Sequence, residues 1–286
     1  MSIFYKEGTN KLYYLIGVGI VIPALMLFTH ERSTILTIIF FLVSVIVSIS
    51  IFFEYQVIKK KRIADLETFA KNNNYQFNVK PQSEDITEFK NFKAMQKILM
   101  PIHAHAFLNL LTPIETTDSS DINNPQIVTI STTISAGEST STYYTQVFLF
   151  QMESQIPIFY LAGGKHFFFS NLFRDKNIFS GIKELQEVDI KKFDFPANRY
   201  KLYSSDKDIK NFFSKRFIEL LNSGLKKKKK TLYIESDGKN LIFYVKYKRH
   251  TNEGIKFYIN LFKVLIESLQ ILKTSLIDEG PNKKSI

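Results

Sequence analysis

The stretch that decides the architecture runs from residue 12 to residue 62. It reads LYYLIGVGIVIPALMLFT (12–29), HER (30–32), STILTIIFFLVSVIVSISIFF (33–53) and EYQVIKKKR (54–62). The apolar runs, 18 and 21 residues long, contain no charged side chain, and only His30, Glu31 and Arg32 separate them. At about 1.5 Å per helical residue they reach roughly 27 and 31 Å, the thickness of a bilayer's hydrocarbon layer. We read them as a two-helix transmembrane hairpin over 1–53. A cleaved signal peptide would need a small-x-small site, and none follows Phe28 before the second run begins.

Three residues between spans leave room only for a tight turn, so the helices are expected to be antiparallel neighbours. Gly17 and Gly19 on the first, facing Ser44 and Ser48 on the second, would let the backbones approach closely. Pro23 removes a helical hydrogen bond mid-span and should kink the first helix. Lys6 and Lys11 precede the first span and Lys59, Lys60, Lys61 and Arg62 come after the second, whereas the turn holds only Arg32. That bias puts both termini in the cytoplasm.

The second helix is expected to continue past the membrane. Tyr55, Ile58, Arg62, Ile63, Leu66, Phe69 and Ala70 recur at three- and four-residue steps until Asn72, Asn73 and Asn74 end the pattern. Residues 54–74 therefore read as a basic helical stalk, part of one rod that couples the bilayer to the domain at its far end.

Residues 75–279 have the composition of a soluble domain, with a possible sub-boundary near 181–192, and the polar end 280–286 reads as a disordered tail. The first 58 residues are electrically neutral, so the whole net charge of +11 lies beyond them. A basic domain beside a bilayer is attracted to an anionic lipid surface. Only six of the 38 basic residues are arginine, the side chain best suited to read bases and clamp phosphate, so nucleic acid is a disfavoured partner. With no cysteine, disulfides, thiolate metal sites and cysteine nucleophiles are excluded.

Alternation predicts strands at 75–80, 103–111, 126–135, 142–153, 156–162, 200–203, 231–235 and 241–247, with 126–162 forming a three-strand meander. Apolar periodicity predicts helices over 86–99, 205–221 ended by Gly224, and 253–277, and Ser236 to Asn240 is a hairpin turn. The fold class is thus membrane-anchored α+β, with a mainly antiparallel sheet and packed helices.

Several positions line up with a known pattern: Ile156-Pro157-x-Phe159-x-Leu161, Phe193-x-Phe195-Pro196, Tyr200-x-Leu202, Asp206 and Ile209 ahead of Phe212-Phe213, and Ile234-Glu235 with Gly238 and Leu241 to Val245. In these the chain resembles a widespread uncharacterised family of bacterial membrane proteins with two N-terminal transmembrane helices and a cytosolic α+β domain. The resemblance implies that architecture and a bacterial inner-membrane location. It brings no catalytic residues, and Gly163, Gly164 and Lys165 stand where arginines would be expected.

Few side chains suggest chemistry. His103 and His105, two apart on a predicted strand, project to one face and with His166 are the candidate metal ligands, but no acidic ligand stands at a recognisable spacing and solvent-facing histidines are the preferred reading. Gly163-Gly164-Lys165 lacks the rest of a P-loop. Asp237 is read as a turn residue and Glu235 as an ordinary strand position. Lys226, Lys227, Lys228, Lys229 and Lys230 form the densest charge run, a solvated loop or, with Lys59 to Arg62, a membrane-surface contact.

No catalytic set and no cofactor site emerges, so the expected function is a non-enzymatic membrane-tethered module that binds or senses a cytosolic ligand or protein. The alternative is a membrane-perturbing effector in defence or stress, activated when the cytosolic domain forms a homo-oligomer. An enzyme ranks below both.

Overall fold

The computed structural model describes residues 34–99, 105–114, 124–136, 139–163, 185–190, 200–206, 209–226, 232–245 and 248–278. It divides into two compact units. One comprises the chain up to Thr68 with Ile134–Thr142, and the other comprises Phe69–Thr133 and Tyr143–Ile286.

Helix α1 spans Thr34–Asn72 without a break. Its end is chemically specified. The side-chain amide of Asn73 donates to the Phe69 carbonyl at 2.6 Å, and Asn74 takes a left-handed φ of 57°, the conformation that closes helices and that asparagine tolerates better than most residues. The Asn74 carbonyl then accepts the Ile114 N–H at 2.9 Å, which fastens the helix end to the sheet.

The strands are β1 (Tyr75–Asn78), β2 (His105–Pro113), β3 (Gln126–Ala136), β4 (Ser139–Gln151), β5 (Phe159–Gly163), β6 (Gln186–Val188), β7 (Tyr200–Ser204), β8 (Leu232–Ser236) and β9 (Asn240–Val245). They form one sheet in the order β1-β2-β3-β4-β9-β8-β5-β7-β6, and it is mainly antiparallel. The expected 126–162 meander is interrupted, because the β8–β9 hairpin is inserted between β4 and β5. The link from β4 to β5 passes over the hairpin's turn, with the Met152 N–H bonded to the Lys239 carbonyl and the Ile156 N–H to the Gly238 carbonyl.

That turn is built as the sequence implies. Asp237 accepts the N–H groups of Lys239 and Asn240 at 2.9 and 2.6 Å, and Gly238 has φ +98°, which a residue with a Cβ rarely adopts.

The inserted hairpin is covered on both faces. On one lie the 3₁₀ turn Glu88–Asn91 and helix α2 (Lys93–Leu99), whose Phe89, Phe92, Ala94, Met95 and Leu99 join Val147, Leu149, Tyr160, Tyr233, Ile242 and Tyr244. The other face carries α3 (Lys215–Lys226) and α4 (Asn252–Asp278), with the Phe262 ring 4.4 Å from Phe243 and 5.2 Å from Phe148. Every residue of β8 and β9 is consequently buried.

Three local expectations shift. The helix over 86–99 breaks at Phe92, whose extended backbone separates the 3₁₀ turn from α2. The helix expected from 205 is a 3₁₀ segment at Ile209–Phe212, and α3 starts only at Lys215, capped by Ser214, whose Oγ accepts the Phe217 N–H at 3.0 Å. α3 also runs through Gly224 to Lys226.

In β2, a bulge at Asn109, φ 53°, shifts the register between Leu108 and Leu111, so Ala106 is exposed and Phe107 joins Leu110 on the α2 side.

Candidate functional site

Two features stand out from the scaffold, the surface of α1 and a carboxylate buried under α2. Phe41–Asn72 is the one segment among the described residues long and apolar enough to cross a membrane, and its apolar window is entirely unburied. Nine large apolar side chains between Phe41 and Phe53 are exposed. At about 1.5 kcal/mol or more for each, leaving them in water would forfeit roughly the whole folding free energy of a typical domain, 5–15 kcal/mol. The polar groups here are self-satisfied, as Ser50 Oγ donates to the Ile46 carbonyl at 2.9 Å. Ser44 and Ser48 are half-buried and one turn apart on this helix.

Below this band Lys59, Lys60 and Lys61 are all exposed, whereas Arg62 is buried. Successive residues turn by about 100° around a helix, so three consecutive lysines distribute positive charge around the rod and not along one stripe. Such a collar suits a helix that stands across an anionic surface; one lying flat on it would place cations at three- and four-residue spacing.

The second feature arises where β8 passes beneath α2. Phe92, ahead of α2, has no side-chain oxygen to cap the helix, and the cap comes from the sheet. Glu235 Oε1 accepts the Ala94 N–H at 2.9 Å and Oε2 accepts the Met95 N–H at 2.8 Å, across some 140 residues of sequence. At the other end of α2, Thr132 Oγ1 donates to the Leu99 carbonyl. The helix is thus pinned at both ends by buried polar side chains over an apolar underside.

Glu235 lies in register with Tyr160 on β5 and Ile242 on β9. Around it the rings of Tyr203, Tyr160, Tyr233 and Tyr244 stack in succession, 6.3, 6.5 and 5.0 Å apart. The hydroxyls of Tyr160 and Tyr244 act on each other within this cluster. Burial raises the Glu235 carboxyl to about 7; the two N–H bonds oppose the rise, and the nearby Asp237 charge adds to it. Burial likewise holds the Tyr160 and Tyr244 hydroxyls well above the usual phenol range. At the outer end of the row, Lys201 pairs with Glu187 at 3.1 Å on the surface.

No family model matches the chain. No curated protein matches it either. Among solved structures, the crystal structure of the mycobacterial trehalose monomycolate transport factor A, TtfA, is similar at 8% identity with a TM-score of 0.43, over 72% of this chain and 95% of that one. A likeness that loose decides nothing about this chain's activity or partners, and the resemblance to the two-span bacterial family is neither supported nor opposed.

Of the residues singled out by sequence, Gly17, Gly19, His103, His166 and Lys227 to Lys230 lie outside the described residues, as does the first apolar run. His105 falls in β2 opposite Thr132, and Lys226 closes α3. Among the described residues no three His, Cys, Asp or Glu side chains lie together as a metal would require.

Sequence reasoning missed Glu235 by treating it as an ordinary strand position. The signal was present: LYIES continues an apolar strand without the alternation of a half-solvated one, and a carboxylate in such a strand must be buried.

Proposed function

We propose that this chain is a bacterial inner-membrane protein in which a two-helix N-terminal hairpin, with both termini cytoplasmic, tethers a non-enzymatic α+β module that binds or senses a cytosolic ligand or protein. The observation that carries the reading is α1: one continuous helix with an exposed apolar band, a lysine collar after it, and a last turn that belongs to the α+β unit. A helix of that kind links what happens in a domain to how the hairpin lies in the bilayer. The partners on this reading are the lipid bilayer with its anionic surface and a protein, or a second copy of the chain.

The cysteine-free sequence makes topology directly testable. With single substitutions His30→Cys and Ser285→Cys in the full-length protein, a membrane-impermeant maleimide applied to intact spheroplasts should label the first and not the second. Labelling of Ser285→Cys from outside, or release of the protein from membranes by alkaline carbonate, overturns the reading. Growth arrest with membrane depolarisation on overexpression would replace the sensing module with the effector.

A further inference from the structure

We propose that Glu235 makes the docking of α2 on the sheet depend on proton uptake: the packed arrangement favours the protonated carboxyl, and loss of that proton favours lifting of the α2 N-terminus. The groups facing the carboxyl come from each element packed against it. From α2 come two main-chain N–H groups, at 2.9 and 2.8 Å, while Lys93 beside them is exposed. The 3₁₀ turn ahead of α2 contributes Glu88, which is half-buried and engaged by the Gln151 amide. β5 and β9 contribute Tyr160 and Tyr244, with Tyr203 of β7 beyond them, all neutral at physiological pH. Just past the end of β8 stands Asp237, a second negative charge.

Among the described side chains, no cation answers the Glu235 charge. Two amide donors offset part of the cost of burying a carboxylate but do not remove it. The closed site therefore holds a proton more tightly than water-exposed glutamate does, in line with the raised carboxyl. Lifting α2 would admit water to Glu235 and return the group to its ordinary behaviour. By linkage, the open state gains on the closed one as pH rises between those two limits.

α2 is short and has few polar anchors: it is seven residues long, comes after a backbone break at Phe92, and has one buried polar side chain at each end, while Ala94, Met95 and Leu99 hold its underside in the core. The switch lies within the α+β unit and does not depend on membrane attachment.

Amide hydrogen exchange on the full-length protein in detergent micelles tests it. After correction for the intrinsic pH dependence of exchange, the protection of Ala94 and Met95 should fall by roughly tenfold or more between pH 5.5 and 7.5. In Glu235→Gln, which cannot ionise, that fall should vanish. Tyr160→Phe keeps the carboxyl and should retain it, which controls for general loosening of the core. Flat protection in the wild type, or an undiminished fall in Glu235→Gln, overturns the proposal. Should the glutamine variant not fold, infrared difference spectra of the wild type decide: a protonated carboxyl band absent at pH 5.5 refutes it.

Discussion

Replacing Glu235 with glutamine should stabilise the fold increasingly as pH rises. The carboxyl is raised from an ordinary 4.5 to about 7, mainly by burial. Between those values the folded chain binds more protons than the unfolded one, so its stability falls as pH increases and the penalty is complete above about pH 7. At 1.36 kcal/mol per pKa unit the full penalty is roughly 3 kcal/mol, of which about 1 is already present at pH 5.5. Glutamine keeps a carbonyl oxygen to accept one α2 N–H and carries no charge. Its stability relative to wild type should therefore improve by about 2 kcal/mol between pH 5.5 and pH 8, whatever fixed offset the amide introduces. Urea unfolding at both pH values in one detergent, monitored by the fluorescence of the 14 tyrosines of this tryptophan-free chain, gives the double difference. Other titrating groups cancel in it. An offset that is the same at both pH values would refute the claim that the buried carboxyl is uncompensated.

Other outcomes are set by packing and charge. Phe262→Ala should cost about 3–5 kcal/mol, because the ring is fully buried against Phe148, Phe150, Phe243 and Tyr258, and chemical denaturation would show it. Gly238→Ala forces a Cβ into φ +98° and should cost about 1–2 kcal/mol, whereas Gly238→Asn should cost less; a thermal shift would order the two. Replacing Lys59, Lys60 and Lys61 together by glutamine removes the collar and should invert part of the population, read as new external labelling at Ser285→Cys, whereas the same change at Lys80, Lys90 and Lys93 should not.

Much of the fold was legible because its causes are local. Asn72 to Asn74 stop α1 through an asparagine side chain and a left-handed backbone, both properties of the residue type. The turn from Ser236 to Asn240 is legible for the same reason, since Asp237 and Gly238 carry their own geometry. The phase of β2 was not, because a single extra residue at the Asn109 bulge exchanges the two faces and nothing in the alternation marks it. Nor was the start of α3 legible: the apolar periodicity begins near 205, but Ser204 is occupied in the sheet, donating to the Ile158 carbonyl at 3.0 Å, and Ser214 caps the helix.

The sequence by itself determined that an apolar helix closed by a basic cluster precedes an α+β domain, because hydropathy, length and charge act along the chain without reference to distant residues. Only the tertiary structure decided that the β8–β9 hairpin enters between β4 and β5, and that α2 and α4 then seal it from both sides. Strand order depends on pairings between segments some 90 residues apart, which no local preference encodes. Glu235 draws its character from that decision: the same side chain at a sheet edge would be an ordinary carboxylate, and only enclosure beneath α2 makes its proton matter.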